Sequence, residues 1–378
     1  MPRFIGCVVI LFLSLNLNAK PQDWNQLVDS YVKELDVKLK SKKIPGAAVA
    51  IVRTEHSSVA MGFGVTKAKK GHPVTANTRF RLASVSKTFA GSLAAKLASE
   101  GAFALNDPVA KYYPQFHYEG YDKKLRLYHL LSHSGGLVPN AYDNLIESRM
   151  KYDAIVEKLA QVKPMCSPGV CYGYQNVMFS LIGDITKKST GLSYETWLQE
   201  FFFKPLNMQN ASVGYDGMVK DEDYALPHVR ARKRWYTAKL KKDYYKVAPA
   251  AGVNASAADM VQWLKAQLGQ YPDVLNESAL SKQVKPYTKT KKELKRRVWR
   301  NRLKEASYGL GWRIYDYDGE PLYYHSGWVQ GYRADIVIFP KRSIGFSLMI
   351  NAEAGVINEL TTDFINRVVD NEKEPGKR

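Results

Sequence analysis

The chain has 378 residues, 45% of them hydrophobic, enough for one large domain or two ordinary ones with a real core. Its 55 Lys and Arg against 36 Asp and Glu give a formal charge of +19, so an anionic partner has to be considered. No internal repeat, no low-complexity tract and no transmembrane-length segment is present, which excludes a repeat array and a membrane-spanning chain.

The opening MPRFIGCVVILFLSLNLNAKPQ places one cation, Arg3, before an apolar run from Phe4 to Leu15, with the small Ala19 beyond it. That layout predicts a signal peptide over 1–19, an exported chain (periplasmic or secreted), and a mature protein of 20–378 without a membrane span. Cys7 precedes most of the apolar run, which argues against a lipid anchor. DWNQLVDSYVKELDVKLKSKKIPG then reads as an amphipathic helix with Trp24, Leu27, Val28, Tyr31 and Leu35 on one side, stopped by Ile44, Pro45 and Gly46. AAVAIVR and SVAMGFGV, separated by TEHS, predict a hairpin.

FRLASVSKTFAGSLAAKLASEG follows, and helical signals dominate from residue 84 to about 270. On a helix Ser84 and Lys87 lie one turn apart, so the amine can reach the hydroxyl and, if neutral, act as its base. The same spacing occurs at Ser30 and Ser148, but only Ser84 opens an almost uncharged, small-residue helix suited to burial. LRLYHLLSHSGGL reads as a helix ended by glycines, which makes His133 structural. His129 and His133 are one turn apart, yet Leu130 stands where a zinc hydrolase needs its glutamate, so no metal site and no cofactor are expected.

In MCSPGVCYGYQN, Cys166 and Cys171 flank a Pro-Gly turn and, in an oxidising compartment, are expected to form a disulfide. Tyr174 and Asn176 follow that turn and open an apolar helix. A phenol there can shuttle a proton and an amide can hold a substrate carbonyl. Tyr142-Asp143-Asn144 has the same pattern without the rigid turn and is read as a decoy.

Much of the positive charge sits at 228–246 and 289–304. The readings are a solvated basic face, a nucleic-acid groove suggested by the interleaved aromatics, or a site for an anionic cell-surface polymer. Export favours the polymer over nucleic acid. The stretch from about 220 to 248 is the expected excursion from the core.

Strand patterns return in YGLGWRIYDYDG, PLYYHSG, YRADIVIFP and IGFSLMIN, and GVINELTTDFINRVVD closes the chain as a helix. The fold class expected is α/β of the α+β kind. An antiparallel sheet flanked by helices is built from both termini (about 20–83 and 300–378), with a mostly helical region (about 84–299) inserted. A second His-Ser-Gly, at His325, Ser326 and Gly327, lies on a strand. There the N–H of Trp328 can face an oxyanion, so this copy is assigned to the site.

Ser-x-x-Lys, Tyr-x-Asn and His-x-Gly in this order resemble the serine β-lactamase and penicillin-binding superfamily. The resemblance is closer to its class C branch, which also holds D-alanyl-D-alanine carboxypeptidases, D-aminopeptidases and esterases. It covers nearly the whole mature chain and includes LLSHSGGL, PAAGVNASAADMVQWL, YGLGW and the GYRA after His325.

The resemblance implies that Ser84 attacks a carbonyl while Lys87 and Tyr174 exchange its proton. The N–H groups of Ser84 and Trp328 would form the oxyanion hole, Asn176 would orient the substrate, and Tyr174 would protonate the leaving amine. The substrate would be a small molecule or derived from peptidoglycan.

One departure is the histidine: class C β-lactamases typically carry Lys-Thr-Gly where this chain has His325-Ser326-Gly327. With a reference pKa of about 6.5, His325 is expected to strengthen binding of carboxylate-bearing substrates below about pH 6.5. Alternatives are a carboxylesterase on the same fold, a non-turnover penicillin-binding sensor, or a basic cell-surface binder. No G-x-S-x-G elbow is present.

Overall fold

The computed structural model describes residues 23–118 and 120–371; the segment expected to be the signal peptide lies outside them. No helix among the described residues is long and apolar enough to cross a membrane. The frame is one eight-stranded antiparallel sheet made of β1 (Gly46–Arg53), β2 (Val59–Gly64), β3 (Thr288–Lys289), β4 (Leu303–Tyr308), β5 (Arg313–Tyr317), β6 (Glu320–Val329), β7 (Tyr332–Phe339) and β8 (Ile344–Ile350). Its order is β2-β1-β8-β7-β6-β5-β4-β3, so the N-terminal hairpin pairs with the last C-terminal strand, Ala47 opposite Ile350.

The period of two along β1 divides its side chains between two cores. Ala47, Val49 and Ile51 pack with α1 (Trp24–Ser41) and α5 (Val356–Asn371), while Ala48, Ala50 and Val52 join the larger core. That larger core holds α2 (Ser86–Ser99), α3 (Asn176–Thr190) and α4 (Ala257–Gln267). Covered on both faces, β1 is buried over all but its last residue, which is why it reads as a continuous apolar run.

Several expectations need correction. The first helix ends at Ser41, before Pro45, because Lys43 turns left-handed (φ 56°). YGLGWRIYDYDG is not one strand: Tyr308 ends β4, Arg313 begins β5, and the residues between turn back. The stretch 84–299 also contains strands. Val253–Ala255 and Ser212–Val213 join Phe80–Arg81, which lies just before that stretch, in a three-stranded sheet, and His228–Ala231 pairs with Arg234–Thr237 in a hairpin. The first His-Ser-Gly does follow a helical turn, Leu127–Leu131. The left-handed residue that ends it is His133 (φ 56°), however, and not a glycine.

The 309–312 turn is pressed against α2. A Cβ on Gly91 would lie 1.9 Å from the Leu310 carbonyl oxygen, and one on Gly311 (φ +74°) would lie 2.0 Å from that of Lys87. Both contacts are backbone and cannot swing away. Gly91→Ala would ordinarily stabilise a helix interior by about 1 kcal/mol. Here it is expected to lower the unfolding free energy by about 1–3 kcal/mol through overpacking. Urea titration of the variant measures it, and a gain in stability would contradict the close approach.

Candidate active site

Ser84 sits at the start of α2, in a single 3-10 turn (Ala83–Val85) whose first residue is left-handed (Ala83, φ 49°). A non-glycine residue in that region stores strain, which is found where a backbone must present a side chain. Ser84 is half-exposed, while Ala83, Val85, Ser86 and Lys87 around it are buried. Nearly all of α2 is buried, which explains its small, uncharged composition.

The Lys87 side chain is fully buried. Its Nζ lies 3.4 Å from Ser84 Oγ, 2.7 Å from Asn176 Oδ1 and 3.0 Å from the Ala250 carbonyl oxygen. Burial pushes its pKa well below that of a free lysine. The Asp143 carboxylate works against that shift, and Arg313 works with it. A neutral amine has two N–H groups and one lone pair. Two of its three neighbours are carbonyl oxygens that can only accept, so the lone pair is left facing the Ser84 hydroxyl. This is the arrangement a serine needs in order to lose its proton.

Tyr174 closes the other side. Lys87 Nζ is 4.8 Å from its ring centroid, and its phenol is near enough to the Ser84 hydroxyl to feel it. Burial raises the phenol above its ordinary value, with the nearby Ser84 hydroxyl opposing, so the Tyr174 hydroxyl keeps its proton near pH 7. Its position is set by the loop that the Cys166–Cys171 disulfide closes. Gly169 N–H donates to Ser134 O, Gly173 N–H to His133 O and Met165 N–H to Gly136 O, laying that loop along LLSHSGGL. His133 accepts the Gln175 N–H at Nδ1 (3.1 Å) and packs 4.2 Å from the Tyr174 ring, so this structural histidine supports the tyrosine.

Asn176, the first residue of α3, has its amide spanning two partners. Oδ1 accepts from Lys87, and Nδ2 donates to Asp143 Oδ2 at 2.8 Å. Through these bonds it orients the lysine amine. Tyr142 takes no part, but its neighbour Asp143, from the segment read as a decoy, braces Asn176.

β6 brings His325, Ser326, Gly327 and Trp328 alongside. A Cβ on Gly327 would stand 2.2 Å from Leu82 O and 3.1 Å from Ser84 N, so only glycine lets the strand approach the nucleophile. Trp328 is 60% exposed, with Arg333 4.8 Å from its ring, and lines a cavity of about 350 Å³ with Arg81 and Tyr244.

His325 overturns the expectation of a titration near pH 6.5. It is fully buried, and burial first, then Arg313 and Lys87, hold its pKa well below the ordinary value. Nδ1 lies 2.9 Å from Ser326 O, an acceptor, so Nδ1 carries the proton; Nε2 then accepts the Tyr308 hydroxyl at 2.7 Å. Neither nitrogen is left for a substrate carboxylate.

Sequence reasoning missed Arg313. Its guanidinium is buried and pairs with Glu293 at 2.8 Å, which also binds Arg296 (3.0 Å) and the Tyr315 hydroxyl (2.6 Å). Part of the basic stretch 289–304 is therefore folded onto the site. With Tyr172 and Tyr174, Arg313 and Glu293 line a cavity of about 670 Å³. Ser30 and Ser148, by contrast, each bond the local backbone, to Leu27 O and Leu145 O. Among the described residues no cluster of side chains could hold a metal ion.

A family model described as Beta-lactamase matches residues 24–369. The chain is 27% identical over 315 residues to a protein of Escherichia coli K12 named Beta-lactamase, covering 83% of this chain and 77% of that one. It is 24% identical over 359 residues to Protein flp of Staphylococcus aureus, covering 93% and 68%. A penicillin-binding protein homologue from Pyrococcus abyssi superposes with a TM-score of 0.79 at 24% identity, over 93% of this chain and 79% of that one. A class C β-lactamase superposes with 0.74 at 20% identity, over 93% and 97%.

The rate of Ser84 acylation is expected to rise with pH as Lys87 loses its proton, with the rise well below the pKa of a free lysine. Asp143→Asn removes the charge that favours the ammonium form but keeps an oxygen for Asn176. It is expected to move that rise to lower pH, as read from a pH–rate profile of acylation. A rise that stays put or moves upward would show that Asp143 does not act on Lys87.

Proposed function

The chain belongs to the Beta-lactamase family, and on that footing we propose that it is an exported serine hydrolase working through an acyl-enzyme on Ser84. The substrates proposed are β-lactams or amides of D-amino-acid peptides. The observation that carries the reading is the buried Lys87 amine, 3.4 Å from Ser84 Oγ and saturated elsewhere by acceptors.

In this reading Ser84 Oγ bonds to the substrate carbonyl carbon as its proton passes to Lys87 Nζ. The negative charge on the carbonyl oxygen is met by the Ser84 and Trp328 N–H groups, each such donor being worth roughly 10²–10³ in rate. Tyr174 hands its proton to the leaving nitrogen and is recharged from Lys87 through the Ser84–Lys87–Tyr174 contacts. Water then attacks the ester, with the same groups in reverse.

A second reading, a carboxylesterase, draws on one observation: both ring nitrogens of His325 are engaged inside the protein, which favours substrates without a carboxylate beside that strand.

Intact-protein mass spectrometry over time, with a penicillin, a cephalosporin and a small thioester, separates these. Wild type is expected to gain a Ser84-bound adduct, and Ser84→Ala to lose acylation by on the order of 10⁴ or more. A lasting β-lactam adduct marks a penicillin-binding peptidase or sensor. A transient adduct with consumption marks a β-lactamase, and thioester turnover alone an esterase. Adducts that persist in Ser84→Ala would contradict the mechanism, as would the absence of Ser84-dependent acylation both with these three probes and with a D-amino-acid peptide amide.

A further inference from the structure

The catalytic reading leaves the hairpin that opens the basic stretch 228–246 unused, although the stretch carries eight Lys and Arg against one Asp. In the structure it begins as the hairpin His228–Ala231 and Arg234–Thr237, with Ala231 opposite Arg234. The loop is thus two residues long, Arg232 and Lys233, and both are left-handed (φ 46° and 65°). A turn of this shape favours Asn-Gly, because a Cβ at positive φ is strained. Two long cations stand there instead.

The hairpin is anchored at its base. Buried His228 has Nδ1 2.8 Å from the Asn351 carbonyl, and its Nε2 accepts the Ala68 N–H at 3.0 Å. A cavity of about 570 Å³ opens beside the hairpin, lined by Arg230, Lys233 and Trp235 on one side and by Lys42 and Lys43 on the other. Lys43 is again left-handed (φ 56°), at the position after a helix where glycine is preferred. Three cations therefore occupy glycine-favouring backbone around one groove.

Arg230, Arg232, Lys233, Arg234, Lys42 and Lys43 are all exposed, and none has an ion-pair partner among the described residues. The acids at the groove are engaged: Glu353 accepts the Gly331 N–H (2.7 Å) and Glu359 pairs with Arg297 (3.0 Å).

We infer that this groove and hairpin tip bind a flexible polymer carrying repeated phosphate groups. Guanidinium forks match phosphate oxygens, and a row of unpaired cations is what a linear polyanion neutralises, releasing its counterions. A nucleic acid fits less well. The Trp235 ring has the Arg230 guanidinium 5.8 Å above it and its Nε1 3.5 Å from Lys42 O, so it is not offered to a base. Backbone strain at three cations around one groove, each replaceable by a better-suited residue, is consistent with side chains that serve what they contact.

The test exploits that strain. Lys43→Gly, Arg232→Asn and Lys233→Gly combined remove three charges while giving the backbone the residues it prefers. Binding of labelled inorganic polyphosphate to the full mature protein is followed by fluorescence anisotropy across a salt series. Wild type and Ser84→Ala are expected to bind alike, with affinity falling as salt rises. The triple variant should melt no lower than wild type yet bind at least roughly tenfold more weakly, with a shallower salt dependence.

Arg230→Gln with Arg234→Gln leaves the turn alone and should weaken binding in the same direction. Equal binding by both variants, or no binding by wild type at low salt, would overturn the assignment. Tighter binding to single-stranded DNA of matched charge would replace it with a nucleic-acid site, and capture only by phosphatidylglycerol vesicles would replace it with a membrane surface.

Discussion

A lysine amine with no access to water and no carboxylate in contact is the constraint on which the rest of the site depends. An ammonium ion there would lose its hydration with only neutral oxygens in return, a cost of several kcal/mol, so the proton leaves instead. Everything that buries Lys87 therefore helps to make a base. The small residues of α2 allow close packing, and the 309–312 turn seals the helix from the strand side at Gly91 and Gly311. The Ala250 carbonyl and Asn176 Oδ1 take up both N–H groups and point the lone pair.

The charges in the next layer tune that state in opposite directions. Asp143 pulls Lys87 toward the ammonium form and Arg313 pushes it toward the amine. Arg313 acts equally on His325, whose neutral tautomer is then locked by Tyr308 and by the carbonyl of Ser326. Glu293 holds Arg313 in place from a stretch that in sequence looks like an exposed basic run. The site is in this sense supported by a buried guanidinium as much as by the residues that face the substrate.

Residues defined by local pattern were legible in the sequence. Ser84 and Lys87 stand out because burial demands an uncharged helix. Cys166 and Cys171 stand out because they flank a turn, and the two-ended sheet because β1 and β8 are both continuous apolar runs. What escaped was set by distance in the fold. The Ala250 oxygen is backbone and carries no side-chain signal, though PAAGVN was visible as a motif. Asp143 lies 33 residues before Asn176, and only tertiary packing joins them. The charge state of His325 depends on Arg313, whose pairing with Glu293 no periodicity reveals. The helical turn before LLSHSGGL ends at a left-handed His133; Gly136 is left-handed further on, and it and Gly135 leave room for the Cys166 carbonyl and Met178.

The ionisation state of Lys87 can be observed without any substrate. Labelling lysine at Cε with 13C and comparing wild type with Lys87→Arg identifies the Lys87 signal, whose shift reports protonation. Lys87 is expected to be a neutral amine at about pH 7, with its titration far to the acid side of the other lysines. A Lys87 signal that stays in the ammonium form until the exposed lysines titrate would contradict it, and the general base would have to be sought elsewhere.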